Sequence, residues 1–298
     1  EMVRFGKNGS DATSAAIRVA RAYTGKERIM ICGYHGWHDW YISKTVRNKG
    51  VPSFESKLAD RVSFNDINSV HKLLKKHKDK ICALIMEPAN AEEPYSGYFI
   101  ELHELLRKNN VLLIFDEIVT GFRFANGGAQ ELFNVKPDLS AFGKAMGNGM
   151  PISALVGKKE YMKEMNEIFY STTFAGESLS ICASIAVIKK MIAEPVIDNI
   201  WKKGKILNDS LLSIIKKYDL KSIIGIKGFD PWKLIIYSDH KNIKKEFIKT
   251  FVIKSMLSKG ILVNSAHNIM YSLKNSHIKM IITAYDQTFK NLKNELEN

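Results

Sequence analysis

Three uninterrupted apolar runs constrain this chain most: RIMIC (28–32) after its first residue, ICALIM (81–86) and VLLIF (111–115). None alternates polar with apolar residues, so each predicts a strand covered on both faces. Between them, NDINSVHKLLKKHKD (65–79) and IELHELLRKNN (100–110) repeat apolar residues at three- and four-residue spacing, which predicts helices. MVRF (2–5) predicts a short strand, and DATSAAIRVARAYTG (11–25) a helix with Ser10 as its N-cap and Gly25 as its stop. LSAFG (139–143) and ISALVG (152–157) add two more strands. Buried strands alternating with helices specify an α/β fold with a wound, mostly parallel sheet sandwiched by helices. From about residue 200 the pattern changes to Lys-rich helices and the alternating strands WKLIIYS (232–238) and ILVNSA (261–266). We therefore expect a large domain over 1–200 and a smaller α+β domain over 201–298.

The formal net charge is +13, yet only eight of the 44 basic residues are Arg. The Lys-rich runs LLKKHKDK (73–80) and SIIKKYDLK (213–221) read as solvated faces of amphipathic helices. No nucleic-acid-binding signature accompanies them, so neither nucleic acid nor a membrane surface is an expected partner. No run approaches the roughly 18–20 apolar residues of a membrane-spanning helix, and no signal peptide opens the chain. Cys32, Cys82 and Cys182 are dispersed, odd in number and set among apolar neighbours. They are expected to be reduced core thiols of a cytoplasmic protein, not a disulfide or zinc framework.

Ligands in wound sheets sit outside the carboxyl ends of the strands. There this sequence places Gly9-Ser10 after MVRF, the loop GYHGWHDW after RIMIC, Glu87 after ICALIM, Asp116-Glu117 after VLLIF, and Lys144 in GKAMGNGMP after LSAFG. Taken singly, Gly9-Ser10 is a helix cap, His35-x-x-His38 resembles a metal pair without a third ligand, and Lys144 is a surface lysine. Asp116 resists such an explanation, because an unpaired carboxylate at a buried strand end is costly. Pyridoxal phosphate accounts for the set together. Its phosphate suits a helix N-terminus, its ring an aromatic side chain, its pyridine nitrogen a carboxylate that keeps it protonated, and its aldehyde a lysine that then moves protons.

The stretches RFGKNGSDATSAAIRVARAYTG, YHGWHD, LLIFDEIVTGFR, GGAQELFNVKPDLSAFGKAMGNGMPISALVG and STTFAGESLS resemble the class III, fold-type I pyridoxal-phosphate aminotransferases, in their glutamate-1-semialdehyde 2,1-aminomutase-like branch. The resemblance covers residues 4 to about 190, and Lys144 follows Asp116 by the family's 28 residues. It implies that Lys144 forms the cofactor aldimine and that Asp116 meets the pyridine nitrogen. It also implies that Ile118 packs behind the ring, Tyr34 stacks on the other face with His35 beside it, and Gly9 and Ser10 hold the phosphate. Glu87 matches an acid at the cofactor rim, Thr173 a threonine lent to the phosphate of a neighbouring subunit, and Arg123 a substrate-side cation. A homodimer with shared sites follows, acting on a small-molecule amino donor and carbonyl acceptor.

Three departures bear on function. The family's N-terminal arm, with part of its small domain, is not matched, which reads as a fragment whose activity is open. Glu177-Ser178 replaces the usual Asn-Pro, and TTFAGE is similar to enzymes of sugar and polysaccharide synthesis. Pro88-Ala89-Asn90 lacks a common glycine. The alternatives are a tetrapyrrole-pathway aminomutase proper and a non-catalytic, cofactor-binding relic.

Overall fold

A computed structural model describes residues 1–297. Two compact units are formed, Glu1–Ala89 with Pro94–Glu194, and Pro195 onward with Asn90–Glu93. In the first unit the strands are β1 (Met2–Gly6), β2 (Arg28–Cys32), β3 (Ala59–Arg61), β4 (Ile81–Met86), β5 (Leu112–Asp116), β6 (Leu139–Phe142) and β7 (Ser153–Gly157). Its helices are α1 (Gly9–Thr24), the one-turn α2 (Asp39–Ile42), α3 (Ile67–Lys76), α4 (Tyr98–Lys108), the one-turn α5 (Ala129–Leu132) and α6 (Lys159–Met162), and α7 (Ser178–Ala193).

The strands form one sheet in the order β1-β7-β6-β5-β4-β2-β3. The five strands from β6 to β3 run parallel, while β7 is antiparallel to both neighbours. Every residue of β4 and β5 is buried, as unbroken apolar runs demand. Ile29, Ile31 and Ile114 pack on one face with Ala16 and Val19 of α1, and Leu84 and Phe115 on the other with Phe99 and Leu102 of α4. On α3 only Val70 and Leu74 are buried, which leaves Lys75 and Lys76 to water.

The second unit contains α8 (Val196–Lys217), β8 (Ile224–Phe229), β9 (Trp232–Tyr237), α9 (Lys245–Leu257), β10 (Ala266–Asn268) and α10 (Asn275–Glu297). Its antiparallel sheet, β10-β9-β8, shares a core with Leu211, Val252 and Phe289 of the helices. No helix among the described residues is long and apolar enough to cross a membrane.

Three local expectations are corrected. Asn8, not Ser10, caps α1: its side chain accepts the Asp11 N–H at 3.1 Å, and Asp11 Oδ2 accepts the Asn8 N–H at 3.0 Å. ILVNSA (261–266) is not a strand. Ile261 donates back to the Met256 carbonyl as α9 ends, and only Ala266–Asn268 reaches the ladder with β9. Cys182 is exposed whereas Cys32 and Cys82 are buried, because α7 buries only Ser180, Ser184 and Met191.

Candidate active site

The carboxyl ends of β1, β2, β4, β5 and β6 open into a cavity of about 650 Å³. Gly9, Ser10, Tyr34 and His35 line one part of it, and Glu87, Asp116, Ile118 and Lys144 another. Sheet register brings the last two elements together: Asp116 ends β5 opposite Ala141 of β6, and Lys144 follows Ala141 by three residues.

Asp116 is 4% exposed and doubly held. The Ile118 N–H donates to its Oδ1 at 3.1 Å, and His35 Nδ1 lies 2.8 Å from its Oδ2. The other ring nitrogen of His35 is 3.1 Å from the Cys32 carbonyl. A carbonyl only accepts, so the Nε2 edge donates to Cys32, and the Nδ1 edge is left facing the Asp116 carboxyl. The loop that presents His35 is pinned to α1. Thr13 Oγ1 donates to the His35 carbonyl at 3.1 Å, and the Trp37 N–H donates to Ser10 Oγ at 3.3 Å. Gly36, at φ +100°, makes this approach possible, since a Cβ there would collide with Ser10 Oγ.

Lys144 occupies the left-handed region at φ +41°, a conformation that costs a non-glycine residue on the order of 1 kcal/mol. Its side chain lines the cavity and is exposed there. Burial holds its pKa below the usual lysine range; the Asp116 and Glu87 carboxylates oppose that shift and Arg123 adds to it. Glu87 accepts the Tyr34 N–H at 2.9 Å. Burial pushes the Glu87 carboxyl up, and the Asp116 charge adds to the shift against the pull of that N–H.

Ile118 forms a small cluster with Ala12 and Ala141, and a Cβ on Gly9 or Gly143 would meet its side chain at 3.1 Å. One isoleucine thus sets the spacing between the start of α1 and the Lys144 turn. Gly9 and Ser10 line the cavity, and as the first residues of α1 their N–H groups have no preceding helical turn to bond. Asn8 takes up the Asp11 N–H, so the cap leaves those two donors open.

Glu117 belongs elsewhere. It is fully buried, accepts the Ala129 and Gln130 N–H groups at 2.9 and 2.8 Å, and accepts the Thr120 hydroxyl. It ties the segment after β5 to the start of α5. Burial raises its pKa against these hydrogen bonds.

Two expected residues do not join the cavity lining. Thr173 is exposed, and Arg123 lies near enough to affect Lys144 without lining the space. His38 is engaged with Ser14 Oγ at 2.6 Å, apart from His35. Lys7, Trp37, Val119, Met150 and Pro151 line the cavity without having been expected from the sequence. Only the position of Lys7, two residues before Gly9, and the glycine richness of GKAMGNGMP pointed to them.

Known proteins resemble this chain in sequence and in fold. The chain is 35% identical over 288 residues to glutamate-1-semialdehyde 2,1-aminomutase of Methanococcus maripaludis strain C6, covering 88% of this chain and 67% of that one. It is 44% identical over 212 residues to 3-aminobutyryl-CoA aminotransferase of Cloacimonas acidaminovorans, covering 69% of this chain and 50% of that one. A solved transaminase with PLP bound superposes with a TM-score of 0.92 at 20% identity, over 100% of this chain and 75% of the other. Ornithine aminotransferase from Toxoplasma gondii superposes at 0.88 and 21% identity, over 99% and 74%. At such identities these two structures speak for the fold alone. The aminotransferase class-III family model, by contrast, aligns with residues 1–288, through every strand end that feeds the cavity, and the chain belongs to the class III aminotransferase family.

Proposed function

We propose that this chain is a pyridoxal-phosphate-dependent enzyme that transfers an amino group through Lys144. The observation that carries the reading is the convergence in one cavity of Asp116, Lys144 and the open N–H groups of Gly9 and Ser10. The donor set fits the group: two N–H groups at a helix N-terminus suit a phosphate, and a carboxylate suits a ring nitrogen. About 650 Å³ is within the ordinary range of cofactor pockets. When bound, pyridoxal phosphate supplies an electron-withdrawing ring that stabilises negative charge at an adjacent carbon.

The chain's residues divide the remaining work. With the cofactor bound, Gly9 and Ser10 would hold its phosphate end, Ile118 would support one ring face and Tyr34 would cover the other. Asp116, braced by His35 and the Ile118 N–H, would hold a proton at the ring nitrogen. Lys144 would anchor the cofactor and would move a proton at the substrate α-carbon. Its lowered pKa leaves more of the neutral amine that both tasks need. Glu87 fixes Tyr34 through its backbone, and the Arg123 charge adds to the lowering of the Lys144 pKa.

Nitrogen moved between adjacent carbons of one molecule is the second reading. The aminomutase relatives, aligned over 88% of the chain, favour it. A sugar-directed acceptor is supported only by the run TTFAGE. We infer a homodimer as well. Leu179 and Ile192 of α7 are 65% and 76% exposed, beside the exposed Thr173 that a second copy would use.

Borohydride trapping tests the cofactor reading. With pyridoxal phosphate added, wild type should show a cofactor absorbance band and a trapped mass on the Lys144 peptide, and Lys144→Ala should show neither. Activity of the variant should fall on the order of 10³-fold. A wild-type chain without the band would overturn the reading.

A further inference from the structure

Lys7 takes no part in the transfer just described, yet its ammonium, beside the cavity, bonds two segments remote in sequence. It donates to the Pro151 carbonyl at 2.8 Å, to Glu177 Oε1 at 2.8 Å and to Ser180 Oγ at 3.4 Å. An ammonium has three donors, so this set uses all of them. Pro151 closes the glycine-rich loop that follows Lys144. Glu177 and Ser180 open α7, where Glu177 also accepts the Leu179 and Ser180 N–H groups at 2.8 and 3.0 Å. The Lys7 backbone leads from β1 into α1, one residue beyond the ladder that pairs Gly6 with Ser153 of β7, and its N–H donates at 2.9 Å to Asp11, the partner of Asn8 in the α1 cap.

We propose that Lys7 is a positioning residue, a clasp paired with Glu177 that fixes the phosphate-binding start of α1 against the loop carrying Lys144. The proposal rests on the cofactor reading of the cavity. Lys7, with the Ser180 hydroxyl, holds the Glu177 carboxyl down at about 2. The competing assignment, Lys7 as a direct phosphate ligand, requires the ammonium to leave Glu177 and predicts the opposite effect of removing that carboxylate.

The experiment compares wild type, Lys7→Met, Glu177→Gln and the reversed pair Lys7→Glu/Glu177→Lys in the full chain. Pyridoxal phosphate and pyridoxal are titrated by absorbance, and amide hydrogen exchange of residues 147–152 is followed without cofactor. Both single variants should weaken pyridoxal phosphate binding about tenfold and speed exchange in the loop. Pyridoxal, which lacks the phosphate, should lose much less, the band position should not move, and the reversed pair should regain part of the affinity. If Glu177→Gln binds as tightly as wild type or tighter while Lys7→Met loses affinity, Lys7 is a phosphate ligand and the clasp is wrong. Unchanged loop exchange in both single variants also sinks it. A wild-type chain that binds no cofactor defeats the cofactor reading instead, and the exchange arm still decides whether the clasp exists.

Discussion

His35 and His267 are both almost fully buried, one in each unit, and they are treated in opposite ways. His35 has partners at both ring nitrogens, the Asp116 carboxylate and the Cys32 carbonyl. His267 has one partner, Tyr285 Oη at 2.7 Å, and its Nδ1 has none among the described residues. Carboxylate and carbonyl both accept, so each ring nitrogen of His35 has a place to direct a proton, at the edge of an open cavity. Nothing around His267 compensates a charge, and burial lowers its pKa to about 4. The same residue type thus braces a carboxylate where a ligand is expected and is a neutral packing group in the C-terminal core.

Asp116 and Glu117 repeat the contrast one residue apart: the first faces the cavity, the second is consumed by a backbone turn. The largest expected effect breaks the first half of that pair. Asp116→Ala should fold and still be trapped by borohydride at Lys144, but turnover should fall on the order of 10³-fold. Asp116→Glu should lose less, as measured by decay of the cofactor band with an amino donor that wild type uses. Equal rates in all three proteins would remove Asp116 from the ring nitrogen. Glu117→Ala should act on stability, lowering the unfolding free energy by about 3 kcal/mol in urea titrations, because two N–H groups and a hydroxyl lose their buried acceptor. A Glu117→Ala protein of native stability would mean that the turn after β5 holds without its carboxylate.

The second unit is tested by pH. His267 titrates at about 4 when folded, against 6.5 for the free side chain. Above about pH 7.5 neither state is protonated to any extent and stability is unaffected. As pH falls from 6.5 to 4 the unfolded chain gains a proton that the folded one refuses, so stability drops by up to about 3 kcal/mol. His267→Phe should flatten that dependence between about pH 7.5 and about pH 4.5 in denaturant titrations. A wild-type chain without the slope would show that His267 finds a compensating partner. The smallest change is expected from Lys75→Ala on the solvated face of α3, within about 0.5 kcal/mol of wild type. A larger loss there would show that the Lys-rich faces carry more than solubility.

Much of the first unit was legible. Gly25 ends α1 in the left-handed conformation expected of it, and RIMIC is a strand over the whole stretch expected, Arg28–Cys32. The second unit was harder to read. β8 escaped because IGIKGF is broken by two glycines, and ILVNSA shows strand-like periodicity while only its last residue pairs. At the site, the strand-end acids and the lysine could be singled out because each interrupts an apolar or glycine-rich run. Lys7 could not, because its acceptors lie 144 to 173 residues away.

By itself the sequence determined which segments must be covered on both faces, and hence a wound sheet whose strand ends carry an acid, a lysine and a glycine-led helix start. Those are local properties, carried by periodicity and by breaks in it. Tertiary structure alone decided that Asp116 meets His35, 81 residues distant, while its neighbour Glu117 turns away. Strand order and register set both outcomes, because successive residues leaving a strand point to opposite sides and only the neighbouring strand determines what each one meets.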